Sequence, residues 1–338
     1  MATDTSRAAG SAFPAIDGDL ERRRLGIFLG VAFAISWATA GVIYALGGLT
    51  DSPTLPLGIP LYLPLLAGPY MWGPAIGHLA ARWLTDEGFD RKSMLLRVRT
   101  RWPPWLLGWL GPLVLILAGG ALYYLLFPAR FGGLDAIAAL LADAEAQTGV
   151  EIPLSPTAFL AVQVVQAALL APILNSLATF GEEFGWRAYL LPKLAPLGWR
   201  RALVVHGVIW GVWHWPVIAM GYNYGLGYPG APWAGLLAMV VATVGLGVFL
   251  GWVTLRSESV FPAVIGHAMI NGSAALAVIF ATSIPNQVFG PTPVGLVGVL
   301  PWFLVAAVLF VRTDWLYPVG SSGVGTGSGS EAEPAGGD

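Results

Sequence analysis

Eight apolar stretches divide the chain: Leu25–Gly47, Pro60–Trp83, Trp105–Phe127, Phe159–Leu190, Ala202–Met220, Trp233–Leu255, Val260–Ala281 and Val294–Val311. Each is close to the roughly 20 residues that an α-helix needs to cross the hydrocarbon core of a bilayer. Polar and charged residues collect between them. The pattern predicts an all-α, polytopic membrane bundle of about eight transmembrane helices over residues 25–311. Pro56, Pro60, Pro64 and Pro69 crowd the start of the second stretch, and Pro301 interrupts the last, so these two have the least regular boundaries.

The basic residues orient the bundle, because cytoplasmic loops carry the excess of Lys and Arg. Arg22, Arg23 and Arg24 precede the first stretch. Arg82 stands at the end of the second, Arg91, Lys92, Arg97, Arg99 and Arg101 follow it, and Lys193, Arg200 and Arg201 lie between the fourth and fifth. Arg256 follows the sixth and Arg312 the eighth, whereas the loops at 128–156, 221–232 and 282–293 contain only Arg130. An even number of spans with both termini in the cytoplasm satisfies every loop and makes the chain a multi-pass protein of the cytoplasmic (plasma) membrane.

Composition agrees. Charged residues make up 11% of the chain, against about 25% in soluble domains. The net charge of −2 says nothing of partners, and no basic block points to nucleic acid. There are no cysteines, which removes disulfides, thiolate metal sites and a cysteine nucleophile. Residues 1–24 form a polar N-terminal segment without the apolar core of a signal peptide. Residues 312–338 end in a Gly/Ser-rich run that buries too little apolar surface to order itself, predicting a disordered tail. Gly73/Gly77, Gly207/Gly211 and Gly247/Gly251 repeat at a spacing of four, which lets helix backbones approach closely in a membrane. The loop at 132–150 has apolar residues at helical spacing and predicts a short interfacial helix.

Against this background one heptad stands out: Gly181-Glu182-Glu183-Phe184-Gly185-Trp186-Arg187, at the end of a long uncharged run. A charge at membrane depth costs roughly 2.5–3.5 kcal/mol on insertion scales. Helical spacing pairs Glu183 with Arg187 at i,i+4 and turns Glu182 about 100° away, toward a different neighbour. Taken alone, the heptad fits a juxtamembrane salt-bridge cluster as well as an active site. The fifth stretch adds His206, Trp210 and His214 at i, i+4 and i+8, and the seventh adds His267 and Asn271 at i,i+4. His214 and His267 each fall within about one turn of the middle of their spans. Buried polar groups of this kind need partners inside the bundle. Their common depth therefore gathers Glu182, Glu183, Arg187, His214, His267 and Asn271 into one candidate site.

Those groups permit hydrolysis. A carboxylate can deprotonate a water held beside an imidazole, and His and Asn side chains can donate to the oxyanion of an attacked carbonyl. The same donors could instead hold a divalent metal such as zinc, with Glu182, His214 and His267 as ligand candidates. No HExxH helix is present, so spacing does not favour the metal version.

Glu182-Glu183-xxx-Arg187, Trp210-xxx-His214 and His267-xxx-Asn271 resemble, in order, the three motifs of the CPBP intramembrane proteases. That family includes the CAAX prenyl endopeptidases and bacterial proteins of the bacteriocin-processing and immunity type. The resemblance covers residues 159–281 and departs at Trp210, where the family usually has Phe. It implies an intramembrane endopeptidase in which Glu182 is the general base and Glu183 supports it with Arg187. His214 would hold the water, while His267 and Asn271 would stabilise the oxyanion. The family is often labelled metalloprotease, and a metal-free glutamate mechanism is also argued for it. His78 and His206 match no motif and are read as structural.

The expected partners are the bilayer and a membrane-associated protein or peptide substrate, with the site open to the inner side. The competing readings are a proton- or ion-coupled transporter, which would show a second copy of the acidic element, and an immunity-type homologue that has lost activity.

Overall fold

The computed structural model describes residue 13 and residues 18–316. Within them every regular element is helical: α1 (Arg22–Ala45), α2 (Met71–Leu84), α3 (Trp102–Leu126), α4 (Gly133–Thr148), α5 (Pro156–Lys193), α6 (Trp199–Trp213), α7 (Trp215–Ala219), α8 (Trp233–Ser257), α9 (Phe261–Ser273) and α10 (Leu300–Val311). The polytopic membrane bundle expected from the apolar pattern is what forms, and each of the eight stretches contains helix. Only α1, α3, α5 and α8 are long and apolar enough to cross a membrane by themselves. The other four stretches hold shorter helices. Prolines 64 and 69 break the second at Gly68 and leave α2 with 14 residues. Pro216 splits the fifth at His214. The eighth begins its helix only at Leu300. The loop at 132–150 is indeed helical, as α4. The expected tail lies, from residue 317 onward, outside the described residues, as does most of the N-terminal segment.

Proline shapes α5 as well. Pro172 has no N–H to give the carbonyl of Ala168, and the helix meets it with a widened π-type turn closed by the Ala171 N–H to Gln166 carbonyl bond. The freed Ala168 carbonyl accepts the Trp109 indole N–H from α3 at 2.8 Å. The same solution recurs at Pro74 of α2, where the freed Tyr70 carbonyl accepts the Ser36 hydroxyl of α1 at 2.7 Å. A second wide turn, Trp186–Leu190, precedes Pro192. In a membrane an unsatisfied backbone group has no water to turn to, so these side-chain bonds also tie helix to helix.

Small residues set how closely the helices lie. A Cβ on Gly77 would stand 2.8 Å from the Phe28 carbonyl of α1, and one on Gly207 would stand 2.6 Å from Val244 Cα of α8. Gly181 and Gly185, which flank the two glutamates, do the same for α5 against α2. Their Cβ positions fall 2.8 Å from the Met71 carbonyl and 2.5 Å from the Pro74 carbonyl. The paired acids are thereby pressed into the bundle, and every residue from 181 to 192 is buried. The ends of α1, α2 and α5 are joined beyond that block by ion pairs. Lys193 Nζ lies 2.7 Å from both Glu21 and Glu87, and Arg24 pairs with Glu21 and lies 3.5 Å from Glu87.

Gly185→Ala should force α5 away from α2 and destabilise the protein by about 1–3 kcal/mol, the usual cost of overpacking. Gly41→Ala on α1, where nothing lies within 4 Å, should be neutral. Thermal unfolding of both variants in detergent reads the difference.

Candidate active site

The two neighbouring glutamates have different surroundings. Glu183 is fully buried, and its Oε1 accepts from Arg187 Nη1 at 2.7 Å and from His267 Nδ1 at 2.8 Å. The i,i+4 pair expected from the heptad is therefore present, with a histidine from α9 added to it. Glu182 points one helical step away, and its Oε2 accepts the Trp210 indole N–H at 2.8 Å. Trp210 connects the two halves of the cluster. Its ring lies under the Arg187 guanidinium at 4.2 Å and meets the His267 ring edge-on at 5.3 Å. Cation–π contact of this kind gains strength when both partners are desolvated.

His214 occupies the break between α6 and α7. Its Nδ1 lies 2.8 Å from the Trp210 carbonyl, which can only accept, so Nδ1 carries the proton and Nε2 is left as an acceptor. The same reasoning applies to His267, whose Nδ1 is committed to the Glu183 carboxylate. Trp213, ring-to-ring with His214 at 4.7 Å, is fixed through its own carbonyl. That carbonyl accepts from Tyr70 Oη at 2.7 Å and from Trp37 Nε1 at 3.1 Å.

Glu182, His214, His267 and Asn271 all line one cavity of about 100 Å³, walled by Tyr70, Trp213, Leu246 and Ile270. This is room for several waters. Glu183 and Arg187 stand behind it and do not line it. Asn271 is the exposed member, at the rim. His78 and His206 do not line the cavity. His78 accepts from Arg82 Nε at 2.8 Å and donates through Nδ1 to the Phe184 carbonyl at 2.7 Å, bracing the backbone beside the glutamates. His206 is fully buried on α6.

The lining of the cavity lies to one side of the two glutamates. Toward the basic loops the cavity ends at Glu182, against the buried block at 181–192. On the other side its lining includes Leu66, Tyr222, Asn223 and Val294. The metal reading meets an obstacle. Among the described residues no three His, Asp or Glu side chains are grouped so as to hold a metal ion, although Glu182, His214 and His267 share the cavity wall.

Two participants escaped sequence reasoning. Trp210 counts there only as an aromatic, whereas it is the hydrogen-bond donor to Glu182. The signal was available, since a buried indole N–H needs an acceptor. Tyr70 sits beside a proline-broken turn far from every motif, and nothing in its sequence neighbourhood marks it.

Two comparisons with known proteins bear on this site. Residues 157–273 match the family described as type II CAAX prenyl endopeptidase Rce1-like. A protein of Methanococcus maripaludis named CAAX prenyl protease 2 is 32% identical over 98 residues, which is 28% of this chain and 35% of that protein. The chain thus spans about a third of the length of the curated relative it matches.

Glu183→Gln and Arg187→Met should each destabilise the protein by about 3–5 kcal/mol, since each leaves a buried charge without its partner. Glu182→Gln, which keeps an acceptor for Trp210, should melt close to the unaltered protein. Parallel thermal denaturation of the three variants tests this division of labour.

Proposed function

We propose that the chain, whose residues 157–273 match the type II CAAX prenyl endopeptidase Rce1-like family, is an intramembrane endopeptidase that hydrolyses a peptide bond in a membrane-associated protein or peptide. The observation that carries the proposal is the unequal commitment of the two glutamates. Glu183 is held by Arg187 and His267 behind the wall, while Glu182 keeps one oxygen for the cavity it shares with His214.

A water in that cavity gives one hydrogen bond to His214 Nε2 and its other proton to Glu182. The hydroxide formed attacks the scissile carbonyl carbon, and the carbonyl oxygen takes up the negative charge. The Asn271 side-chain amide can donate to that oxyanion as it stands. His267 can donate through Nε2 only as an imidazolium, for which the Glu183 carboxylate on Nδ1 is the counter-ion. Collapse of the tetrahedral species breaks the C–N bond, and Glu182 returns its proton to the leaving amine. No step requires a metal. The cavity ends at Glu182, and the sequence has no second copy of the acidic element, which argues against a transporter. The basic loops favour the cytoplasmic membrane as its location, with both termini inside.

The purified protein in detergent or lipid should cleave members of a panel of membrane-tethered peptides. Glu182→Ala and His214→Ala should each lower the rate by at least roughly a hundredfold, the lower bound for loss of a general acid–base group, with the fold retained. Wild-type rates in both would remove the assignment. A strong chelator should leave the rate unchanged.

A further inference from the structure

His206 matches none of the motifs and lines no part of the cavity, yet it is fully buried on α6, one turn before Trp210. Among the described residues neither of its ring nitrogens has a hydrogen-bond partner. The ring faces the Trp186 backbone without closing a hydrogen bond to it. Arg187 is in a similar position. Its Nη1 is taken by Glu183, whereas Nε and Nη2 are buried and find no acceptor among the described residues. Buried polar groups in folded proteins are paired with protein or with ordered water, and a charged donor left alone is the costliest case. Both orphans lead to one place. A Cβ on Gly247 of α8 would stand 3.6 Å from His206 Nδ1 and 3.9 Å from Arg187 Nη2, with Gly207 Cα its nearest neighbour at 3.5 Å. The glycine thus leaves room for one oxygen-sized atom, which a shift of about 1 Å brings within hydrogen-bond distance of the two nitrogens.

We propose that Arg187 and His206 share a buried water at Gly247, and that His206 is thereby a positioning residue for the site. Water suits the place because it both accepts and donates. It accepts from Arg187 Nη2 and gives a proton to Nδ1 of the neutral imidazole. An anion there would be repelled by the Glu183 carboxylate on the same guanidinium. With the water in place the guanidinium is held on two sides, by Glu183 and by the water, over the face of Trp210. Trp210 is the donor to Glu182, so the water governs the alignment of the general base from two contacts away. For its effect on rate the proposal rests on the endopeptidase reading above. The water itself does not.

Three variants and one map test this. His206→Leu removes the ring partner, and should lower kcat on a cleaved peptide by at least about tenfold, the low end for loss of a supporting hydrogen bond behind the reacting groups. KM should change little, because substrate contacts are untouched. His206→Asn keeps a polar atom near the position of Nδ1 and should recover most of that loss. Gly247→Ala fills the place of the water at ordinary contact distances, so it should fold normally and lose rate as His206→Leu does. Combining His206→Leu with Gly247→Ala should be no slower than the slower single variant, since both remove the same water. Unaltered rates in His206→Leu or Gly247→Ala, or losses that multiply in the double variant, would overturn the proposal. A crystallographic map that resolves waters should show one between Arg187 and His206, and none there in Gly247→Ala. Its absence from the unaltered protein would equally overturn the proposal. If the unaltered protein cleaves no peptide, the endopeptidase reading fails, while the map still decides the water.

Discussion

Everything else in the site depends on a charge balance struck in a place without water. Glu183 and Arg187 have no exposed surface, and neither could be carried there alone at tolerable cost. Their mutual bond, with His267 on the same carboxylate oxygen, neutralises the centre of the bundle and joins α5 to α9. Because Glu183 takes on this role, Glu182 does not have to. A single helical step of about 100° separates a carboxylate that holds the structure from one that faces a cavity, and the doubled acid in the sequence reflects two jobs.

The aromatic residues turn this balance into geometry. Trp210 spans the neutral cluster with its face and the cavity carboxylate with its N–H. A tryptophan here both packs and donates. Its carbonyl then fixes the tautomer of His214 one turn on. Tyr70 and Trp37 clamp the carbonyl of Trp213, so the break in the helix at His214 is held from outside. Proline creates the freed carbonyls, and aromatic or hydroxyl donors from the next helix take them up.

Much of this was legible in the sequence, for identifiable reasons. Long apolar runs announce helices because backbone groups in lipid must be satisfied within the segment. The i,i+4 spacing of Glu183 and Arg187 fixed their pairing, and the common depth of His214 and His267 pointed to a shared site. The shortened helices were harder to read. Whether a proline ends a helix, as before α7, or is absorbed by a wide turn, as at Pro172, depends on a donor supplied by another helix, such as Trp109. The limits of the cavity were also hidden. Depth can be counted along a span, but where the bundle is packed shut depends on contacts such as Gly185 against Pro74 and Lys193 between two glutamates. No local pattern records these.

The first half of α5 has a consequence of a different kind. Before the buried block, this helix exposes Val162, Val165, Leu169, Leu170, Ile173, Leu174 and Leu177, and little of its surface is covered by protein. Acyl chains are therefore its principal packing partner, along the same helix that carries both glutamates at its other end. The bilayer-facing surface and the candidate site are thereby the two ends of one continuous helix.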